Sequence, residues 1–344
     1  MRAASVRARA PGRVNLIGDH TDHTGGFCLP IAIDRWVEVE VRPDPDAGAV
    51  HLTSDAAPAP AVVALDVPDP SRLEPAWARY VGGVVQQLGL AHGWRGTVRS
   101  TVPQGAGLSS SAALEVACAL ALGADPEDRL GLAVLCRAAE HAARGVPTGL
   151  LDQLASVFGV ADHALLLDCA SSSVTPTPLP PRDELEVVVV ASGARSLESS
   201  PYAERVGALR RAEAEVGPLR RCTAAEVAGL ADPVLRRRAR HVVTENERVH
   251  ELVAALAAGD LVRAGRVVDA SHASLRDDFE SSTPAIDALC EDLRSRPGVF
   301  GARITGGGWG GSVVALARPG TIGDRGWVVR AVDGAARLDP SDPG

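Results

Sequence analysis

Arg35 to Val41 (RWVEVEV) alternates apolar and polar residues with a period of two, the pattern of a strand with one buried face. VHLTS (50–54) and GTVRSTV (96–102) read the same way, with AWARYVGGVVQQLGL (76–90) between them as a helix. The run SAALEVACALALG (111–123) is so uniformly apolar that it predicts a helix buried nearly all round. LGLAVLCRAAEHAARG (130–145) and LLDQLASVFG (150–159) predict further helices, and HALLLDC (163–169) and LEVVVVAS (185–192) further strands. Between those two strands SSSVTPTPLPPRDE (171–184) is rich in serine and proline, which makes it the expected linker. From Tyr202 to about residue 296 the chain reads as helical, then turns to VFGARITGGGWGGSVVALA (299–317), two short apolar runs around a glycine tract. The mixture predicts an α+β protein of two domains, residues 1–168 and 185–344, joined by a linker over 169–184.

Composition changes this picture mainly by exclusion. The 344 residues suffice for two domains and a sizeable core, and 46% apolar with 23% charged residues is a globular balance. A net charge of −8 and a pI near 5.6 give no support to a nucleic-acid or anionic-membrane partner. No apolar stretch approaches the roughly 20 residues that cross a bilayer. The basic start MRAASVRARAPGRVN is followed by no hydrophobic segment, so no signal peptide is expected. Six scattered cysteines (28, 118, 136, 169, 222, 290) form no C-x-x-C pair and are expected to be reduced, mostly buried thiols of a cytoplasmic protein. The chain contains no lysine, so every one of its 35 basic side chains is an arginine. That excludes a Walker A loop and a protein kinase, both of which need a lysine on the phosphates.

Candidate chemistry begins at PQGAGLSSSAALEVA (103–117). Gly105 and Gly107 permit close backbone approach, and Ser109, Ser110 and Ser111 stand where a helix should start. The unpaired N–H groups and partial positive charge of a helix's first turn bind phosphate without any cationic side chain. Serine hydroxyls add hydrogen bonds or a ligand for Mg²⁺. A flexible glycine turn followed by a serine cap fits the same letters. Elsewhere, GDHTDHTGG (18–26) crowds Asp19, His20, Asp22 and His23 beside a glycine turn, and reads as a solvated loop, a metal site or a sugar site. Asp152, in the apolar segment GLLDQ, reads on its own as a helix-capping aspartate, and Glu140 as surface charge.

Taken together, the segments resemble the GHMP small-molecule kinases, whose second motif is P-x-x-x-G-L-S-S-S-A. APGRVNLIGDHTDHTGG (10–26) looks like the galactokinase signature within that superfamily, and RITGGGWGGSVVAL (303–316) resembles the third family motif. AWARYVGGV, TGLLDQLASVFG, HVVTENERV and SLRDDFESSTPAID are similar to galactokinase segments in the same order, so the resemblance spans almost the whole chain.

The resemblance implies a two-domain GHMP kinase fold with the active site in the interdomain cleft. It also implies transfer of the ATP γ-phosphoryl group to the C1 hydroxyl of D-galactose; a monomer is expected. Asp152 would be the catalytic aspartate and Arg13 the arginine facing it. Asp19, His20, Thr21, Asp22 and Tyr202 would hold the sugar. Gly105, Ala106, Gly107, Leu108, Ser109, Ser110 and Ser111 would hold the nucleotide, with Ser54 near it, and Ser111 and Glu140 would bind Mg²⁺. Three positions depart from the family pattern: Asp19 where glutamate is usual, His23 where tyrosine is common, and Trp309 in place of phenylalanine. Aspartate reaches about 1.5 Å less than glutamate, near the C6 end of the sugar. Two other readings stand beside this one: a GHMP kinase for another sugar, such as an N-acetylhexosamine or a pentose, and a non-catalytic galactose sensor.

Overall fold

The computed structural model describes residues 5–103, 105–145, 148–193 and 201–339. Its first half runs β1 (Val6–Asn15), β2 (Phe27–Cys28), β3 (Pro30–Asp44), β4 (Ala49–Ser54), β5 (Ala57–Ala64), α1 (Ala78–Leu88) and β6 (Gly93–Ser100). There follow α2 (Ser110–Leu122), α3 (Arg129–Arg144), α4 (Leu151–Phe158), β7 (His163–Asp168) and β8 (Ser173–Pro178). The second half comprises β9 (Glu186–Gly193), α5 (Tyr202–Val216), α6 (Ala224–Ala228), α7 (Pro233–Ala257), α8 (Leu261–Ser274), α9 (Pro284–Arg294), β10 (Val299–Thr305), β11 (Gly311–Ala317), β12 (Trp327–Val329) and β13 (Ala336–Leu338). Among the described residues no helix is long and apolar enough to cross a membrane.

The six-stranded sheet has the order β13-β1-β3-β6-β4-β5, with β4 and β6 its parallel pair. Period-two alternation marks only the second half of β3, because Pro30 to Ile33 are buried on both faces. The sequence pattern hides β1, whose Ala8, Ala10, Pro11 and Gly12 are weak strand formers; these small residues let α2 pack closely on β1 and β3. α2 is buried along Ala112–Leu122, as its uniform apolarity predicts. A second sheet, β10-β11-β9-β12, is antiparallel throughout, and the two apolar runs around the glycine tract form its β10–β11 hairpin, with β10 at the edge.

Two domain expectations need correction. Ser173–Pro178 of the expected linker is a strand, the outer member of the sheet β2-β7-β8, where a proline costs no ladder hydrogen bond. The expected unit 185–344 also does not keep to itself. β13 returns to pair with β1, and Val187, Val189, Leu316 and Val329 join the larger core built mainly from the first half. A second core gathers α5, α6, α7, α9 and the turn of Leu275 and Phe279 after α8 against β9, β10 and β11, whereas Ala264, Val267 and Val268 of α8 join the larger core.

Candidate active site

The glycine-serine loop is held by its carbonyls. Ser312 donates to Ala106 O at 2.7 Å, the Arg13 guanidinium to Gly107 O at 2.7 Å, and the Arg13 amide to Leu108 O at 3.1 Å. Taken up by protein donors, these carbonyls set no free acceptor against an incoming phosphate. Gly105 and Gly107 both sit at φ +70°, a conformation that glycine alone adopts without strain. α2 then starts at Ser110, and no side chain caps it. Ser109 occupies the capping position, but its hydroxyl donates instead to Asp152 Oδ2. The serine-cap reading is therefore set aside: the helix mouth is left for a ligand.

Asp152 lies in the first turn of α4 and caps nothing. Its Oδ1 accepts from Arg13 Nε at 2.7 Å and pairs with Nη2 at 2.6 Å. Arg13 reaches it from a bulge in β1, where the register shifts between Pro11 and Arg13. Glu140 is buried rather than a surface charge, at 3% exposure. Its Oε1 accepts from Ser111 at 3.4 Å and Arg144 at 3.1 Å, and its Oε2 from Thr148 and Gln153, each at 3.0 Å. Gln153 also reaches Glu115 at 3.4 Å. Burial, reinforced by the nearby Glu140 charge, pushes the Glu115 carboxyl well above the usual range.

Opposite this group stands the loop of Gly18 to Gly26. His20 holds φ +66° and stacks on Phe279 with ring centroids 4.2 Å apart. Asp22 lies against Gly149 so closely that a Cβ there would come within 1.6 Å of its Oδ2. Burial holds the Tyr202 phenol protonated well above its ordinary range, and its hydroxyl bonds His23 Nε2 at 2.6 Å. Asp19 is paired with the fully buried Arg303, and its Oδ1 accepts the Gly306 amide at 3.1 Å. Burial is the largest influence on the Asp19 carboxyl and raises its pKa against the opposing pull of Arg303.

α7 carries the loop from behind. Glu245 accepts the Gly18 amide at 3.0 Å and Asn246 the Phe27 amide at 2.8 Å, while His241 Nε2 meets Asp19 O at 3.1 Å. His241 is lowered to about 4 by burial, despite the Glu245 charge; at Glu245 burial is the largest single influence and pushes upward, but Arg248, His241 and Arg303 together overcome it and hold the carboxyl at about 2. A buried histidine whose folded pKa is depressed leaves stability intact above the unfolded value of about 6.5 and removes it as pH falls toward 4. Between pH 7 and 4.5 the parent should lose on the order of 2 kcal/mol more than His241→Gln, read from urea midpoints. Parallel pH profiles for the two proteins would refute this assignment.

These parts enclose one cavity of about 360 Å³. Of the expected residues, Arg13, Asp19, His20, Asp22, Gly105, Gly107, Leu108, Ser109, Ser110, Ser111, Glu140, Asp152 and Tyr202 line it. Three do not. Thr21 is fully buried, its hydroxyl donating to Gly18 O and Phe27 O, so it shapes the loop. Ala106, within the glycine-serine loop, is itself buried. Ser54 ends β4 in a turn, where its Oγ accepts the Ala56 amide at 3.1 Å. Sequence reasoning passed over Tyr80, Arg144 and Thr148 on the cavity wall, and Arg303 behind it. Only Arg144 left a sequence signal, as a cation four residues after Glu140 on one helix face.

The chain matches three family models: the galactokinase galactose-binding signature at residues 2–43, the GHMP kinases N terminal domain at 79–160, and GHMP kinases C terminal at 252–324. It is 43% identical over 336 residues to a galactokinase of Roseiflexus sp. (strain RS-1), covering 92% of this chain and 84% of that one. A galactokinase of Mycobacterium tuberculosis (strain ATCC 25618 / H37Rv) is 42% identical over 327 residues, 91% and 89% of the two chains. Among solved structures, Lactococcus lactis galactokinase complexed with galactose superposes with a TM-score of 0.88 at 30% identity, over 97% of this chain and 95% of that one. Methanococcus jannaschii mevalonate kinase, at 16% identity and a TM-score of 0.69 over 97% of this chain and 100% of that one, shares the fold.

Proposed function

Because this chain belongs to the galactokinase family of GHMP kinases, we propose that its cleft transfers the γ-phosphoryl group of ATP to the C1 hydroxyl of D-galactose, giving galactose 1-phosphate and ADP. The observation that carries this is the convergence of the Asp152–Arg13 pair, the open mouth of α2 and the Asp19–Asp22 loop on one cavity. Asp152 Oδ2 keeps a lone pair for the sugar hydroxyl while Oδ1 is pinned by Arg13. Asp152 orients the hydroxyl and takes its proton as phosphoryl transfer proceeds, a step that tolerates a weak base when the transition state is loose. Arg13 offsets charge on the phosphoryl group in flight. His20, Asp22 and Tyr202 hold sugar hydroxyls, and the amides of the α2 mouth hold phosphate.

The donor set fits Mg²⁺: the Ser111 hydroxyl and Glu140 carboxylate are hard oxygens 3.4 Å apart on two helices, both facing the cavity. Bound there with ATP, the ion would offset phosphate charge against walls that carry Asp19, Asp22, Glu140 and Asp152. Free thiols at all six cysteines support a cytoplasmic setting, and the enzyme acts as a monomer in this reading.

A coupled ADP assay over galactose, glucose, N-acetylgalactosamine and arabinose tests the proposal. Galactose should give the fastest release, chelation should stop it, and added Mg²⁺ should restore it. Faster turnover of another sugar would assign the site to that sugar. Galactose binding with no ADP release from any of the four would make the protein a sensor.

A further inference from the structure

We propose that Arg144 is a phosphate-contacting residue of the nucleotide site, supplying a second cationic side chain beside Arg13 in a cleft of a lysine-free chain. The inference rests on the kinase reading above and adds a residue to it.

Among the described residues only two arginines line the cavity, Arg13 and Arg144. Arg13 is committed, with Nε and Nη2 on Asp152 and Nη1 on Gly107 O. Arg144 is not. Its Nη1 donates to Glu140 at 3.1 Å, its Nε is buried without a hydrogen-bond partner, and Nη2 meets no acceptor among the described residues. The side chain is only 14% exposed, so these donors are withdrawn from bulk water. A desolvated guanidinium with spare donors is poised for an anionic ligand, and its planar fork matches phosphate oxygens.

Position points the same way. Arg144 ends α3, and its side chain turns back one helical turn to Glu140. The Oε1 atom that it bonds also accepts from Ser111 in the first turn of α2. The guanidinium therefore stands within two hydrogen-bond lengths of the mouth where a triphosphate would settle. Helix amides would meet that triphosphate from one side and Arg144 from the other. A simpler role competes, in which Arg144 only steadies Glu140.

The two roles separate at saturating magnesium. Arg144→Gln still donates to Glu140 but carries no charge, whereas Arg144→Lys restores the charge without the fork. Titration calorimetry on the full chain with a β,γ-imido ATP analogue should show Arg144→Gln binding at least about tenfold more weakly than the parent, with adenosine and galactose affinities unchanged. Arg144→Lys should recover most of that loss. Parent-like analogue binding by Arg144→Gln at saturating magnesium, with a deficit only when magnesium is scarce, would leave Arg144 a mere support for Glu140. An equal loss of adenosine binding would overturn the proposal too. Failure of the parent itself to bind the analogue would instead sink the kinase reading.

Discussion

Asp152→Asn is expected to lower turnover by at least about a thousandfold while leaving galactose binding within several-fold of the parent. The local geometry explains the split. The substituted amide would keep one oxygen for the two Arg13 donors at 2.7 and 2.6 Å, and its nitrogen could donate to the Ser109 hydroxyl, which turns to accept. The segment would stay folded and the sugar loop, on the opposite wall, would be untouched. What disappears is the charge facing Arg13 and the carboxylate oxygen placed to receive the C1 proton. Initial-rate ADP release together with equilibrium galactose binding reads both halves. Near-normal ADP release would remove Asp152 from the chemistry, and loss of galactose binding would make it a sugar ligand instead.

Much of this site is legible in the chain because it is local. The serines at the start of α2 and the crowded Asp-His-Thr-Asp loop stand out within a short window, whereas Glu140 and Asp152, read alone as surface charge and a helix cap, gain their place only from the resemblance to a family. Strands with one wet face, such as the second half of β3, are equally plain. β1 is not, since alanine, proline and glycine have no strand signature and its identity comes from the sheet and helix packed around it. β5 and β8 are hidden by prolines that only an outer strand accommodates. Thr21 and Ala106 show the converse limit: motif membership does not say which side chains face the ligand, and both turn inward. His241, Glu245 and Arg303 are invisible for a different reason. Their partners lie more than two hundred residues away, so only the fold reveals that α7 and β10 brace the Gly18–Gly26 loop and the strand end before it.

Arg303→Met should be the most damaging substitution to stability, at about 3–5 kcal/mol, because it strands a buried charge. Arg303 is fully buried, donates to Leu16 O at 2.9 Å and pairs with Asp19, itself only 5% exposed. Asp19→Asn/Arg303→Met removes both charges and should lose clearly less than the single variant, since breaking a buried pair costs more than deleting it. The pH dependence gives an independent sign. The Asp19 carboxyl already lies above its usual range through burial, and without Arg303 it climbs further. A raised folded pKa leaves stability intact below the unfolded value of about 4 and removes it as pH rises through the folded one. The deficit of Arg303→Met relative to the parent should therefore widen from pH 5 to pH 8, while that of the double variant, which has no Asp19 carboxylate to titrate, should not widen. Urea denaturation of all three proteins at each pH measures both effects. Equal, pH-independent losses in the single and double variants would show that Arg303 matters here for its volume, and not for the charge it holds.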